Sequence, residues 1–189
     1  MASGTRFELL RLVTMLFVIC GQLNSLTEAA TAIDCNFPPL EVHPKDCCQL
    51  PSLIDEDLLQ HCKALYGGEP LQRKLIYERG KCFIECALNA TGTMVNGQLD
   101  QGRIMGLIES GTRDDPVVMQ LLQANTMACL QQWVAPLATP TTVGCGSQGV
   151  DFVGCVNIQN FLNCPLARWT NSDECNSLKQ FISLCPRPL

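Results

Sequence analysis

Cysteine constrains this chain more than any other residue. Thirteen occur in 189 residues, and Cys20 stands apart from the twelve that run from Cys35 to Cys185. Cys82 and Cys86, in "KCFIECALNATG", show the constraint most directly. Positions i and i+4 of a helix hold their Cβ atoms about 5 to 6 Å apart, whereas a disulfide requires roughly 3.5 to 4.5 Å. The pair therefore does not bond to itself. It either grips a metal jointly or fastens its helix to two different places. Adjacent Cys47 and Cys48 run to separate partners by a similar argument, since a bond between neighbours strains the peptide joining them.

The compartment follows from the first residues. Arg6 and Arg11 precede the apolar run "LVTMLFVIC" at 12–20, and small residues continue to "ATA" at 30–32. This pattern predicts a secretory signal over 1–32 and a mature single domain over 33–189. Cleavage removes Cys20 and leaves Cys35, Cys47, Cys48, Cys62, Cys82, Cys86, Cys129, Cys145, Cys155, Cys164, Cys175 and Cys185. In an oxidising compartment that even set predicts six disulfides. No C-x2-C occurs, and His43 and His61 lack zinc-finger spacing, so neither a metal nor a cofactor is expected. The run at 12–20 is too short to cross a bilayer, and no later stretch reaches the length a membrane span needs. The chain reads as secreted and extracellular. Its formal charge is −5, and with no basic cluster to neutralise phosphates nucleic acid is not an expected partner.

Between the cysteines the pattern is helical. The stretch 33–51 carries four prolines and reads as an extended arm. Ile54, Leu58, Cys62 and Leu65 mark a helix from Ser52 to the Gly67-Gly68 stop. A second helix spans 70–88, a third 99–109, and Asp115 caps a long one that Pro116 begins and that runs to about Val134. Apolar residues surround most of that long helix and no charge occurs from 116 to 150, so it reads as buried on all sides. Asp151 caps the next helix, which Cys164-Pro165 ends, and Ser172 starts the last. With no alternating strand pattern and no internal repeat, the class is all-α: six to seven helices cross-linked by six disulfides. Asn89-Ala90-Thr91 is an N-glycosylation sequon.

Three features together carry a family resemblance: the same-face pair Cys82/Cys86, a gap of 42 residues to Cys129, and Cys155 and Cys164 separated by eight. The chain resembles the insect odorant-binding proteins. It resembles more closely their cysteine-enriched Plus-C subgroup, through Pro165 after Cys164, Cys175 and Cys185 beyond it, Cys145 ahead of Cys155, and the cysteines before Cys62. The resemblance implies helices around an apolar cavity that carries small hydrophobic molecules, with an olfactory receptor or a second copy as further partner. By position it implies bridges Cys62 with Cys86, Cys82 with Cys155, and Cys129 with Cys164. Cys145 better fits the shorter gap that the six-cysteine form has before Cys155, which an insertion at 135–149 reconciles. The six remaining cysteines allow fifteen pairings.

A carrier needs apolar walls that tolerate different shapes, and methionine supplies them through its flexible, polarizable chain. Met105, Met119 and Met127, with Leu122, Leu130, Trp133, Phe152 and Phe161, form the candidate ligand set. Taken singly, each reads more readily as ordinary core, and the ligand reading belongs to the set. Two other classes compete. A secreted hydrolase lacks its residues: there is no G-x-S-x-G elbow, paired cysteines leave no thiol nucleophile, and Cys47-Cys48 is followed by Gln49 and Leu50 where secreted phospholipases with a similar doublet place His-Asp. No catalytic residue is therefore assigned. A disulfide-rich module that binds protein through its surface would instead have a filled interior.

Overall fold

The computed structural model describes residues 33–35, 39, 42–66, 73–133 and 145–185, with the backbone alone at 73–78 and 133. The segment 1–32, expected to be a secretory signal, lies outside the described residues. Cys35–Leu189 forms one compact unit. Among the described residues seven α-helices make up most of it: α1 Pro44–Cys47, α2 Glu56–Tyr66, α3 Arg73–Ala90, α4 Gln101–Gly111, α5 Pro116–Trp133, α6 Gln148–Leu162 and α7 Asp173–Leu184. The class is all-α.

Helix ends are set by side chains close in sequence. Asp55 Oδ1 accepts the amides of Asp57 and Leu58 and opens α2, while Ser52, the expected start, donates its hydroxyl to the Ile54 carbonyl. Asp100 caps α4 through the Arg103 amide, Asp115 caps α5 through the Val118 amide, and Ser172 caps α7 through the Cys175 amide. Two expectations fail locally. The arm 33–51 is not wholly extended, because Pro44 sits at the first helical position, where its missing N–H costs nothing, and the His43 ring accepts the Lys45 amide to close the single turn α1. Asp151 does not cap α6. The helix starts at Gln148, and the Asp151 amide already donates to the Ser147 carbonyl. Bonding of Cys145 to Cys82, together with Glu85 Oε2 accepting the Gly146 amide, pins the entry so that the helix begins a turn earlier.

A small hairpin was also missed. Strands β1 (Met94–Val95) and β2 (Gln98–Leu99) pair antiparallel around Asn96-Gly97, both with positive φ (54° and 75°). Asn-Gly is the residue pair that a tight primed hairpin turn demands. With two residues per strand, no alternation is long enough to register as a pattern. The hairpin delivers Met94 to the buried side, where it meets the start of α6 at Gly149. A Cβ on Gly149 would lie 3.0 Å from Leu88 Cδ1 and 3.3 Å from Met94 Cε, so a bare backbone permits this approach.

Helix α5 is not buried all round. Val118, Leu122, Asn125, Thr126, Cys129 and Leu130 form its buried stripe, with Met119, Leu121 and Met127 half-buried beside it. Val117 is 65% exposed, and Gln120, Ala124, Ala128 and Gln131 also face solvent. Glutamine and alanine make an outer face without charge, which an apolarity count mistakes for core. The buried Asn125 in turn satisfies both ends of its amide on α6 and its cap. It donates to Asn160 Oδ1 at 3.0 Å and accepts from Asn163 at 3.1 Å, avoiding the roughly 1 to 3 kcal/mol of an unmet buried polar group.

Every cysteine from Cys35 to Cys185 is paired, in two sets. The inner set is Cys62–Cys86, Cys82–Cys145 and Cys129–Cys155. The outer set is Cys35–Cys185, Cys47–Cys175 and Cys48–Cys164, nested one within another. Two pairings implied by the resemblance are therefore corrected: Cys82 bonds Cys145 rather than Cys155, and Cys129 bonds Cys155 rather than Cys164. The interlocking order survives, since first joins third, second joins fifth and fourth joins sixth. The set that follows it is 62, 82, 86, 129, 145 and 155. Cys164 is withdrawn from that set because the arm claims it, through Cys48 and the backbone bridge Cys48–Trp169.

Candidate ligand-binding region

Two apolar clusters result, one for each disulfide set. The inner cluster joins Ile104 and Ile108 of α4, Val118, Leu122, Cys129 and Leu130 of α5, and Phe152 of α6. The outer one joins Cys47, Cys48, Phe161, Cys164, Cys175 and Leu178, and Leu50 packs against both. Of the candidate ligand set, Leu122, Leu130 and Phe152 are buried members of the inner cluster, and Met105, Met119 and Met127 pack half-buried against it. Phe161 does not join them. It lies in the outer cluster, edge-on to Trp169 at 5.3 Å between ring centroids. The Trp133 side chain lies outside the described residues.

Cys129–Cys155 ties α5 to α6 directly beside this cluster. Cys62 and Cys145 fasten α3 at its two same-face cysteines, to α2 and to the entry of α6 respectively. The opening pair thus holds its helix at two places, and no metal is involved in it. Among the described residues no group of three or more His, Cys, Asp and Glu is placed to hold a metal ion. His43 is committed to capping α1, and His61 is exposed.

A separate cleft of about 380 Å³ opens where the arm meets the α4–α5 turn. Residues 49–51, 110–115 and Arg168 line it, so none of the candidate ligand set borders it. Gly111 allows the link between the arm and α2 to lie close, since a Cβ there would stand 2.8 Å from Leu53 Cδ2. On the far side Arg168, in the 3-10 turn Leu166–Arg168, donates to Asp115 Oδ2 at 2.6 Å. Cap and ion pair converge on one carboxylate. The Val118 amide chiefly, and the Arg168 guanidinium after it, hold Asp115 below its ordinary value of 3.8, against partial desolvation that pushes the other way. A depressed carboxyl contributes stability above its unfolded value and loses it as the pH falls through the folded one, so this contact holds at neutral pH and weakens in strong acid. In an Arg168→Ala variant the Asp115 carboxyl should titrate higher than in the parent, yet below an ordinary aspartate because the Val118 amide remains. Carboxyl-carbon NMR reads this directly, and an unchanged titration would show that the pair does not form in solution.

Sequence reasoning found Asp115 as a cap but missed Arg168, which carries no local signal. It also passed over Asn125 in the long apolar helix. The position of Asn125 three residues after Leu122 and four before Cys129 placed it on the buried stripe, and a partner on another helix could have been looked for.

An all-α domain with three interlocked disulfides inside a second, nested set defines a braced extracellular-type helical module. Residues 51–136 match the family model described as AgamOBP47-like. The chain is 27% identical over 165 residues to Odorant-binding protein 47 of Anopheles gambiae, covering 79% of this chain and 72% of that protein. It is 25% identical over 147 residues to General odorant-binding protein 67 of Anopheles gambiae, covering 72% and 71%. The family model and both relatives agree in kind: what this chain is similar to is, in each case, an odorant-binding protein of an insect. None of them names the Plus-C subgroup, which the six disulfides fit.

Proposed function

We propose that this protein is a secreted, non-enzymatic carrier that reversibly binds small hydrophobic molecules within its inner apolar cluster. The observation that carries the reading is the gathering of Met105, Met119, Met127, Leu122, Leu130 and Phe152 around one cluster shared by α4, α5 and α6. The names of the two relatives support the ligand class. Full pairing of the described cysteines suits an extracellular setting, and no described helix is long and apolar enough to cross a membrane.

Binding needs no chemistry, only transfer of apolar surface from water at roughly 25 cal/mol per Å². Burying about 300 Å² of a small guest yields some 7 kcal/mol before entropic losses, so for that area micromolar affinity is the upper limit and ordering costs weaken it further. Refolded, fully oxidised protein should take up a fluorescent apolar probe and release it to small volatile alcohols, esters or aromatics. Failure to take up any apolar probe would remove the carrier reading and favour a module that acts through its surface, where Val117 and Leu166 stand exposed.

A further inference from the structure

We infer that Asn89 is an N-glycosylation site, so that the exported protein carries a glycan at the C-terminal end of α3. The inference goes beyond ligand carriage and shares with it only the reading that the chain is exported. Asn89 occupies the last turn of α3 with its side chain exposed, followed by exposed Ala90 and then Thr91. Among the described residues the Asn89 side chain makes no hydrogen bond, and its backbone carbonyl accepts the Gly92 amide at 3.0 Å. Residues 95–98 at the neighbouring hairpin tip are exposed as well, so a bulky polar group there displaces no packed element. The helix turns its buried face, Ala87 and Leu88, the other way.

The reaction is transfer from a lipid-pyrophosphate oligosaccharide of the secretory route. The Asn89 amide nitrogen bonds to C1 of the first sugar, the C1–O bond breaks, the lipid pyrophosphate leaves with the electron pair, and the amide gives up one proton. The fold also says when this happens. Once α3 is complete, the Thr91 hydroxyl is half-buried and donates to the Ala87 and Leu88 carbonyls at 3.0 and 3.1 Å, with Thr93 Oγ1 at 2.8 Å. Thr91 therefore closes the helix after folding, and it is open for recognition as part of the sequon only before.

These two roles of Thr91 separate by substitution. Full-length chain expressed in insect cells and recovered from the medium should lose mass on treatment with peptide N-glycosidase F, with Asn89 read as aspartate afterwards. Asn89→Gln removes only the sequon and should show one unshifted species. Thr91→Ser keeps both sequon and hydroxyl and should still shift, whereas Thr91→Ala should not. Wild-type protein in the medium with an unmodified Asn89 peptide would overturn the inference. Should the native leader fail to export the chain, a foreign leader in place of 1–32 supplies the same readings and the same two outcomes. Probe uptake by the secreted material is measured separately, so a glycosylated protein that binds nothing would sink the carrier reading alone.

Discussion

With Cys129 and Cys155 both changed to alanine, the protein should lose about 3.5 kcal/mol of unfolding free energy, the loop-closure value for a bridge spanning 26 residues. This bridge links α5 to α6 beside the inner cluster, and Cys129 is 0% exposed, so no solvent-side relaxation replaces it. Removing Cys35–Cys185 provides the control. Its separation of 150 residues alone would suggest a cost nearer 5 kcal/mol. Cys47–Cys175 already ties the same two ends, however, so the ring that Cys35–Cys185 closes is only about twenty residues around, and its loss should cost no more than that of Cys129–Cys155. Urea unfolding of the oxidised variants followed by circular dichroism measures both. A markedly larger cost for the outermost bridge would mean that the arm is not held by the two bridges nested inside it.

Phe152→Ala should cost about 3 kcal/mol, the lower end of the range for emptying a buried phenylalanine site, and should weaken apolar-probe affinity roughly tenfold. Phe152 is 4% exposed and shares the inner cluster with Leu122 and Leu130. If the ring both fills the cluster and forms part of a ligand wall, its loss falls partly on a space that already adapts to guests, which moderates the stability cost while removing ligand contact. Thermal or urea unfolding and probe titration on the same preparation separate the two effects. The full loss of about 5 kcal/mol with unchanged probe affinity would make Phe152 core alone and weaken the candidate set around it.

Local chemistry made most helices legible. Asp115-Pro116 and Ser172 act within a few residues of themselves, and helix ends that depend on such contacts came out where the residues pointed. The exceptions were also physical. The α6 start moved by a turn because a distant cysteine and Glu85 hold its entry, and the Asn96-Gly97 hairpin was too short for its strands to show a period. Six of the eight candidate ligand residues met around one cluster because they share helix faces that the periodicity already exposed. Phe161 belongs elsewhere because its side chain packs against the arm and α7, on a different face of α6 from the one that meets the inner cluster.

Cysteine number and the all-helical class were properties of the amino-acid sequence by itself, since they rest on composition and on neighbours a turn apart. Which sulfur meets which was settled only by tertiary structure. Bridging Cys82 to Cys145 closes 63 residues, and bridging it to Cys155 would close ten more, a difference that loop entropy barely registers because its cost grows with the logarithm of length. Packing of the arm against the C-terminal helix breaks that near-tie: once Cys48 holds Cys164, the interlocked set can only be completed one cysteine earlier.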